Sequence, residues 1–91
     1  MRLGYNMKIL IDDSKAIYLQ VAESIEDDLL NGIINEGDQV LSTNQFAAIY
    51  GINPATAGKG INMLVDEGVL FKKRGIGMFV KEGAKEYIDR K

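Results

Sequence analysis

Apolar side chains recur at every fourth position in the first third of the chain, which is the pattern of a helix with one buried face. The recurring residues are Ile17, Val21, Ile25 and Leu29. They predict an amphipathic helix of about four turns that ends at Gly32, since glycine accepts the left-handed cap conformation. Ahead of this helix, Ser14 is a candidate N-cap, and the apolar run at residues 8–12 predicts a short edge strand.

Two further helices follow, separated by a tight turn. Ser42 and Gln45 have the spacing of a capping box, in which each side chain accepts from the other residue's backbone amide. Gly51 ends the first of these helices, and Asn53 followed by proline is a favoured start for the next, which runs to Glu67. Its apolar face consists of Ala57, Ile61, Leu64 and Val65. A link of about three residues between two helices is typical of a helix-turn-helix.

The last third of the chain predicts a β-hairpin and a short tail. Residues 69–73 and 78–81 read as two strands, with a tight turn at residues 74–77 between them. The tail at residues 84–91 reads as helical but shows neither a cap nor an apolar face. The elements together predict an α+β fold of the winged helix-turn-helix type, with three helices and a C-terminal hairpin wing. We expect one domain at residues 8–81.

Composition narrows the function classes. The 91 residues fit one domain, and 46% of them are hydrophobic, which is enough for one core. The chain has no cysteine and no histidine, so it lacks thiolate ligands, cysteine nucleophiles and the commonest general base. No apolar run approaches the roughly 20 residues of a membrane span, and no signal peptide is recognisable. We therefore expect a cytoplasmic protein without a cofactor or metal, and we do not expect an enzyme.

Charge is distributed unevenly along the chain. The net charge of −2 argues weakly against a nucleic-acid ligand. However, the first 38 residues carry three basic and eight acidic side chains, whereas the rest carry eight basic and five acidic ones. The second half is therefore net positive and can present a surface to phosphates.

The third helix supplies the candidate base contacts. If its apolar face points inward, the side chains of Ala55, Lys59, Asn62 and Asp66 point outward, with Thr56 beside them. Recognition helices read base edges with their first turns, which nominates Ala55, Thr56 and Lys59. Alanine can touch a thymine methyl, threonine can bond to several base edges, and lysine can reach guanine acceptors or a phosphate.

Two other segments supply candidate phosphate contacts. The start of the second helix offers free backbone amides and polar side chains at Ser42, Thr43 and Asn44. The hairpin carries Lys72, Lys73 and Arg74, which can follow the DNA backbone or enter the minor groove.

Several spaced motifs resemble the DNA-binding domain of GntR-family bacterial transcriptional regulators, and most of all the YtrA subfamily. They are IYLQV at 17–21, GDQVLS at 37–42, GINPAT at 51–56, EGVL at 67–70 and RGIGMFV at 74–80. The resemblance covers roughly residues 9–83. It implies a repressor-type regulator that acts as a homodimer on a two-fold operator in double-stranded DNA. It also implies that residues 82–91 are the start of a helical dimerisation segment. The residues implied in DNA binding are Ser42, Thr43, Asn44, Gln45, Asn53, Ala55, Thr56, Lys59, Lys73, Arg74 and Gly75.

The chain departs from the family pattern at several of these positions. Asn44 stands where the family usually has arginine, and Ala55 stands where the subfamily has asparagine. Gly58 and Gly60 each weaken a helix by about 1 kcal/mol relative to alanine, unless packing compensates. These glycines either let the backbone approach DNA closely or mark a weakened DNA-binding function. The departures and the acidic total motivate an alternative hypothesis, a winged-helix protein-interaction module that no longer reads DNA.

Overall fold

A computed structural model describes residues 16–91, and it has four helices and three strands in that range. In chain order they are α1 (Ile17–Leu30), β1 (Gln39–Val40), α2 (Thr43–Tyr50), α3 (Pro54–Asp66), β2 (Leu70–Lys73), β3 (Gly77–Val80) and α4 (Ala84–Arg90). The predicted strand at residues 8–12 and the predicted cap Ser14 lie outside the described residues. Helix α1 begins after Ala16, which provides no side-chain cap.

The helix-turn-helix is formed by α2 and α3, as predicted. The Ser42 hydroxyl oxygen accepts from the Gln45 amide at 3.2 Å, and the Ser42 amide donates to the Gln45 side-chain oxygen at 3.0 Å. Gly51 ends α2 with φ 67°, a backbone conformation that costs glycine little. The Asn53 side-chain oxygen then accepts from the Ala55 amide at 2.7 Å and caps α3.

The wing is part of a three-stranded antiparallel sheet in the order β1–β3–β2. Strands β2 and β3 form the predicted hairpin, in which Phe71 pairs with Phe79 and Lys73 pairs with Gly77. Strand β1 was not predicted. It has two residues, too few to show a periodic pattern, and it is defined as a strand by the pairing of Gln39 with Phe79 and of Val40 with Met78.

The core lies where α1 and α3 cross and where the sheet covers them. The predicted apolar faces are confirmed, because the recurring residues of both helices are buried except Ile17 and Val65, which are half-buried and pack against the core. The buried apolar residues of α1, α2 and α3 are Val21, Ala22, Ile25, Leu29, Phe46, Ala47, Ala57, Ile61 and Leu64. Val69, Leu70 and Val80 close the core from the sheet side.

Helix α4 corrects the expectation that the tail has no apolar face. Ala84 and Ile88, one turn apart, are buried in the same core and pack with α1. Backbone amides at the start of α4 donate hydrogen bonds to Glu36, which holds the pKa of that carboxyl below its usual range. At the other end, the Lys91 ammonium contacts Glu26 at 2.7 Å and Glu67 at 2.9 Å. Two apolar residues are too few to form a visible pattern in the sequence. They are enough to bury one face of α4, because α1 provides the other side of the contact.

Within residues 16–91, we find no helix with the length and apolar character needed to span a bilayer.

Candidate nucleic-acid interface

The outward face of α3 carries the side chains that the sequence nominated. Ala57, Ile61 and Leu64 are fully buried, which turns the opposite face of the helix to solvent. Ala55 and Lys59 are exposed, and Thr56 is half-buried beside them. The exposed surface of the first turns is therefore small and polar, with one cation. A surface of this shape can enter a groove and offer a methyl group, a hydroxyl and an ammonium to base edges or phosphates.

The N-terminus of α2 presents a second set of donors. The Ser42 and Gln45 side-chain oxygens are occupied by the capping box, but the Gln45 side-chain nitrogen and the Ser42 hydroxyl hydrogen remain for an outside acceptor. Asn44 is exposed, whereas Thr43 is half-buried. The Gln45 backbone amide donates to the Ser42 hydroxyl oxygen, whereas the Thr43 and Asn44 backbone amides precede the first hydrogen bond within the helix. The helix dipole favours an anion there.

The tip of the wing carries the third set. Lys73, Arg74 and Gly75 are exposed, and the turn is closed by the Ile76 amide, which donates to the Lys73 carbonyl at 2.9 Å. Gly75 has φ 77°, a conformation that a side chain at this position would strain. The Lys73 ammonium lies over the Phe79 ring, 4.7 Å from its centroid. Arg74 has no ion pair within the described part of the chain and is available to a phosphate.

The sequence did not identify the residue that supports the wing. The Gln39 side-chain nitrogen donates to the Ile76 carbonyl at 3.0 Å, which ties strand β1 to the hairpin tip. Gln39 also occupies the space where a Cβ atom of Gly77 would lie. Ile76 itself is 64% exposed at the tip, an unusual place for a large apolar side chain. Only the pairing of β1 with β3 brings these residues together, so no local signal could have nominated Gln39.

The two glycines of α3 have different environments. A Cβ atom at Gly60 would collide with the Tyr18 carbonyl oxygen and lie 2.8 Å from the Val21 Cβ atom. Gly60 is therefore required for the close crossing of α1 and α3, a packing role that neither sequence interpretation had assigned. A Cβ atom at Gly58 would meet only the Thr43 methyl carbon, at 3.4 Å.

Comparison with known proteins gives concordant results. The sequence profile of bacterial regulatory proteins of the gntR family matches residues 17–80. The HTH-type transcriptional repressor YtrA of Bacillus subtilis (strain 168) is 35% identical over 72 residues, which are 79% of this chain and 55% of that protein. A GntR family transcriptional regulator from Listeria monocytogenes superposes with a TM-score of 0.83 at 28% identity, covering 88% of this chain and 72% of that one.

A structure with nucleic acid is also similar. S. agalactiae BusR, in complex with its busAB-promotor DNA, superposes with a TM-score of 0.69 at 28% identity, over 84% of this chain and 38% of the BusR chain. The present chain spans about half the length of the YtrA repressor. The matched residues 17–80 contain every element from α1 to β3, including the helix-turn-helix and the wing. The chain therefore belongs to the gntR family of bacterial regulatory proteins.

Proposed function

We propose that this chain is the DNA-binding part of a transcriptional repressor of the YtrA type. The observation that carries the proposal is that α3 and the wing each present a surface suited to DNA. The first turns of α3 expose small and polar side chains with one lysine, and the wing tip exposes Lys73 and Arg74. Family membership supports it, as does the structural similarity to BusR in complex with its busAB-promotor DNA. In this proposal, the chain is cytoplasmic, binds a specific sequence in double-stranded DNA and is not itself an enzyme.

The proposed contacts fall into three groups by the chemistry of their side chains. The start of α2 binds a phosphate, the first turns of α3 lie in the major groove, and the wing tip follows the backbone or the minor groove. The residues in these groups are Ser42, Thr43, Asn44 and Gln45 for α2, then Asn53, Ala55, Thr56 and Lys59 for α3, then Lys73, Arg74 and Gly75 for the wing.

The proposed assembly is a homodimer on a two-fold operator. Dimeric helix-turn-helix proteins place two recognition helices in successive major grooves, so a two-fold DNA site mirrors the protein symmetry. The segment at residues 82–91 is the proposed start of the dimerisation segment. Helix α4 follows the wing directly and packs on α1, which fixes its direction relative to α3.

The test is a fluorescence-anisotropy titration of the chain against a mixed-sequence duplex at about 50 and 200 mM salt. We expect affinity to fall steeply with salt, because several phosphate contacts release counterions. If the chain does not bind at the lower salt, the titration is repeated with an artificially dimerised chain. A second failure would contradict the proposal and favour the protein-interaction module, to which the replacement of the family arginine by Asn44 also points.

A further inference from the structure

A lysine of the recognition helix is held by a tyrosine from another helix. The Lys59 ammonium lies 4.0 Å from the centroid of the Tyr18 ring, within the range of a cation–π contact. Lys59 is exposed and Tyr18 is half-buried, so the pair lies at the edge of the α1–α3 crossing, open to solvent. No sequence motif associates these two residues.

The neighbouring glycine explains why the ring can reach the lysine. Gly60 has no side chain, and the Tyr18 carbonyl occupies the space that a Cβ atom would need. The close approach of the two helices at Gly60 therefore brings the Tyr18 residue beside the adjacent Lys59. One residue of α1 thus contacts both Lys59, through its ring, and Gly60, through its backbone.

This contact restricts where the Lys59 ammonium can bind. The ring draws the side chain toward α1, whereas the small side chains of Ala55 and Thr56 leave the first turn of α3 as the part that reaches base edges. A lysine ammonium is a compact charge with three donors, so a ring on one side leaves donors for an acceptor on the other. In a DNA complex, the acceptors that flank a groove-bound helix are backbone phosphates.

We infer that Lys59 binds a DNA backbone phosphate and does not read a base, and that Tyr18 is the positioning residue that holds it there. The inference rests on the proposed function and goes beyond it, because in it Lys59 contributes to the affinity for DNA and not to the choice of base sequence. It also places the N-terminal turn of α1 at the edge of the DNA interface.

The first test compares four variants of the chain in the salt titration with a mixed-sequence duplex. We expect Lys59→Gln to reduce the slope of log affinity against log salt by about 0.9, the value for one lost phosphate contact. Tyr18→Leu should weaken binding about two- to fivefold, the loss typical of an exposed cation–π contact. Tyr18→Phe keeps the ring and should behave as the unmodified chain. Lys81→Gln is the matched control and should leave the slope unchanged, since Lys81 is an exposed lysine outside the proposed DNA contacts and the proposed dimerisation segment.

A double variant separates positioning from a general structural effect. In the Lys59→Gln background, Tyr18→Leu should cause no further loss of DNA affinity. An equal loss in both backgrounds would overturn the positioning role, and so would a loss in Tyr18→Phe, which would assign the effect to the hydroxyl. Circular dichroism of each variant checks that the fold is retained.

A selection from a randomised duplex tests the assignment to affinity. The chain and its Lys59→Gln variant should select the same bases, and a changed preference at one base pair would overturn the phosphate assignment.

In the free protein, the Tyr18 ring should shift the NMR signals of the Lys59 side-chain methylenes, and Tyr18→Leu should abolish the shift. If the unmodified chain binds no duplex, either alone or artificially dimerised, the proposed function fails. Binding by the unmodified chain together with an unchanged slope in Lys59→Gln overturns only this inference.

Discussion

The α1–α3 crossing and the wing share two structural features but differ in rigidity. Each has a glycine that makes room for a neighbour, Gly60 at the crossing and Gly77 in the wing. Each also has an aromatic ring beneath a lysine. At the crossing, the neighbour is a backbone carbonyl and the buried Val21 side chain. In the wing, the neighbour is the end of the Gln39 side chain, which can rotate.

This difference separates the two halves of the proposed DNA interface. The crossing belongs to the close-packed core, so α3 is presented at a fixed angle. The wing tip is held by one turn hydrogen bond and one side-chain hydrogen bond, and its end is exposed. We therefore expect changes at the crossing to alter mainly the stability of the whole domain, whereas changes at the wing tip alter mainly DNA affinity and have a smaller effect on stability.

The largest expected effect is at the crossing. Gly60→Ala should lower the free energy of unfolding by about 1–3 kcal/mol, because the added methyl group overpacks the core against backbone. Gly58→Ala in the same helix is the matched control and should raise stability by as much as about 1 kcal/mol, since its surroundings leave room. Urea denaturation of both variants measures the difference. Equal stability would show that the close crossing is not required.

The next effect concerns specificity at the rigid helix. Thr56→Ala should change the preference at one base pair by about 1–3 kcal/mol, because in the proposed complex α3 holds Thr56 at a fixed position in the major groove. Asn62→Ala, on the exposed face further along α3, serves as the control. The measurement is binding to a panel of single-base variants of a selected site. A uniform loss on every duplex would make Thr56 a backbone contact.

A smaller effect is expected for affinity at the wing. Arg74→Ala should weaken binding to all sequences and lower the salt slope by about 0.9, with unchanged stability. Arg90→Ala removes another exposed arginine, one that is paired with Glu86 on α4, and should leave DNA binding as it is. If Arg74→Ala binds with an unchanged slope, the wing tip takes no part in phosphate binding.

The smallest effect concerns the support of the wing. Gln39→Ala should cost about 0.5–1.5 kcal/mol of stability, because it removes the hydrogen bond to the Ile76 carbonyl. Gln39→Glu keeps the size but removes the donor, so it should behave in the same way. Thermal unfolding measures the cost, and amide exchange at the hairpin tip reports loosening there. Unchanged amide exchange at the tip in both variants would show that the Gln39 side chain does not hold the wing tip.

Much of the fold could be predicted because its signals are local. The capping box at Ser42 and the Asn53 cap each depend on residues within three positions, and both form as expected. The faces of α1 and α3 follow from helical periodicity. In contrast, the two-residue β1 and the buried face of α4 carry no periodic signal, because their contacts are made with distant segments.

The sequence by itself determined the helices, the tight turn, the hairpin and the set of side chains that face solvent on α3. Only the tertiary structure decided what surrounds those side chains. Tyr18 reaches Lys59 because Gly60 lets two helices touch, Gln39 reaches Ile76 because β1 joins β3, and Ile88 is buried because α4 returns to α1. The physical reason is that hydrogen bonding and periodicity act between near neighbours, whereas close packing depends on which distant surfaces meet.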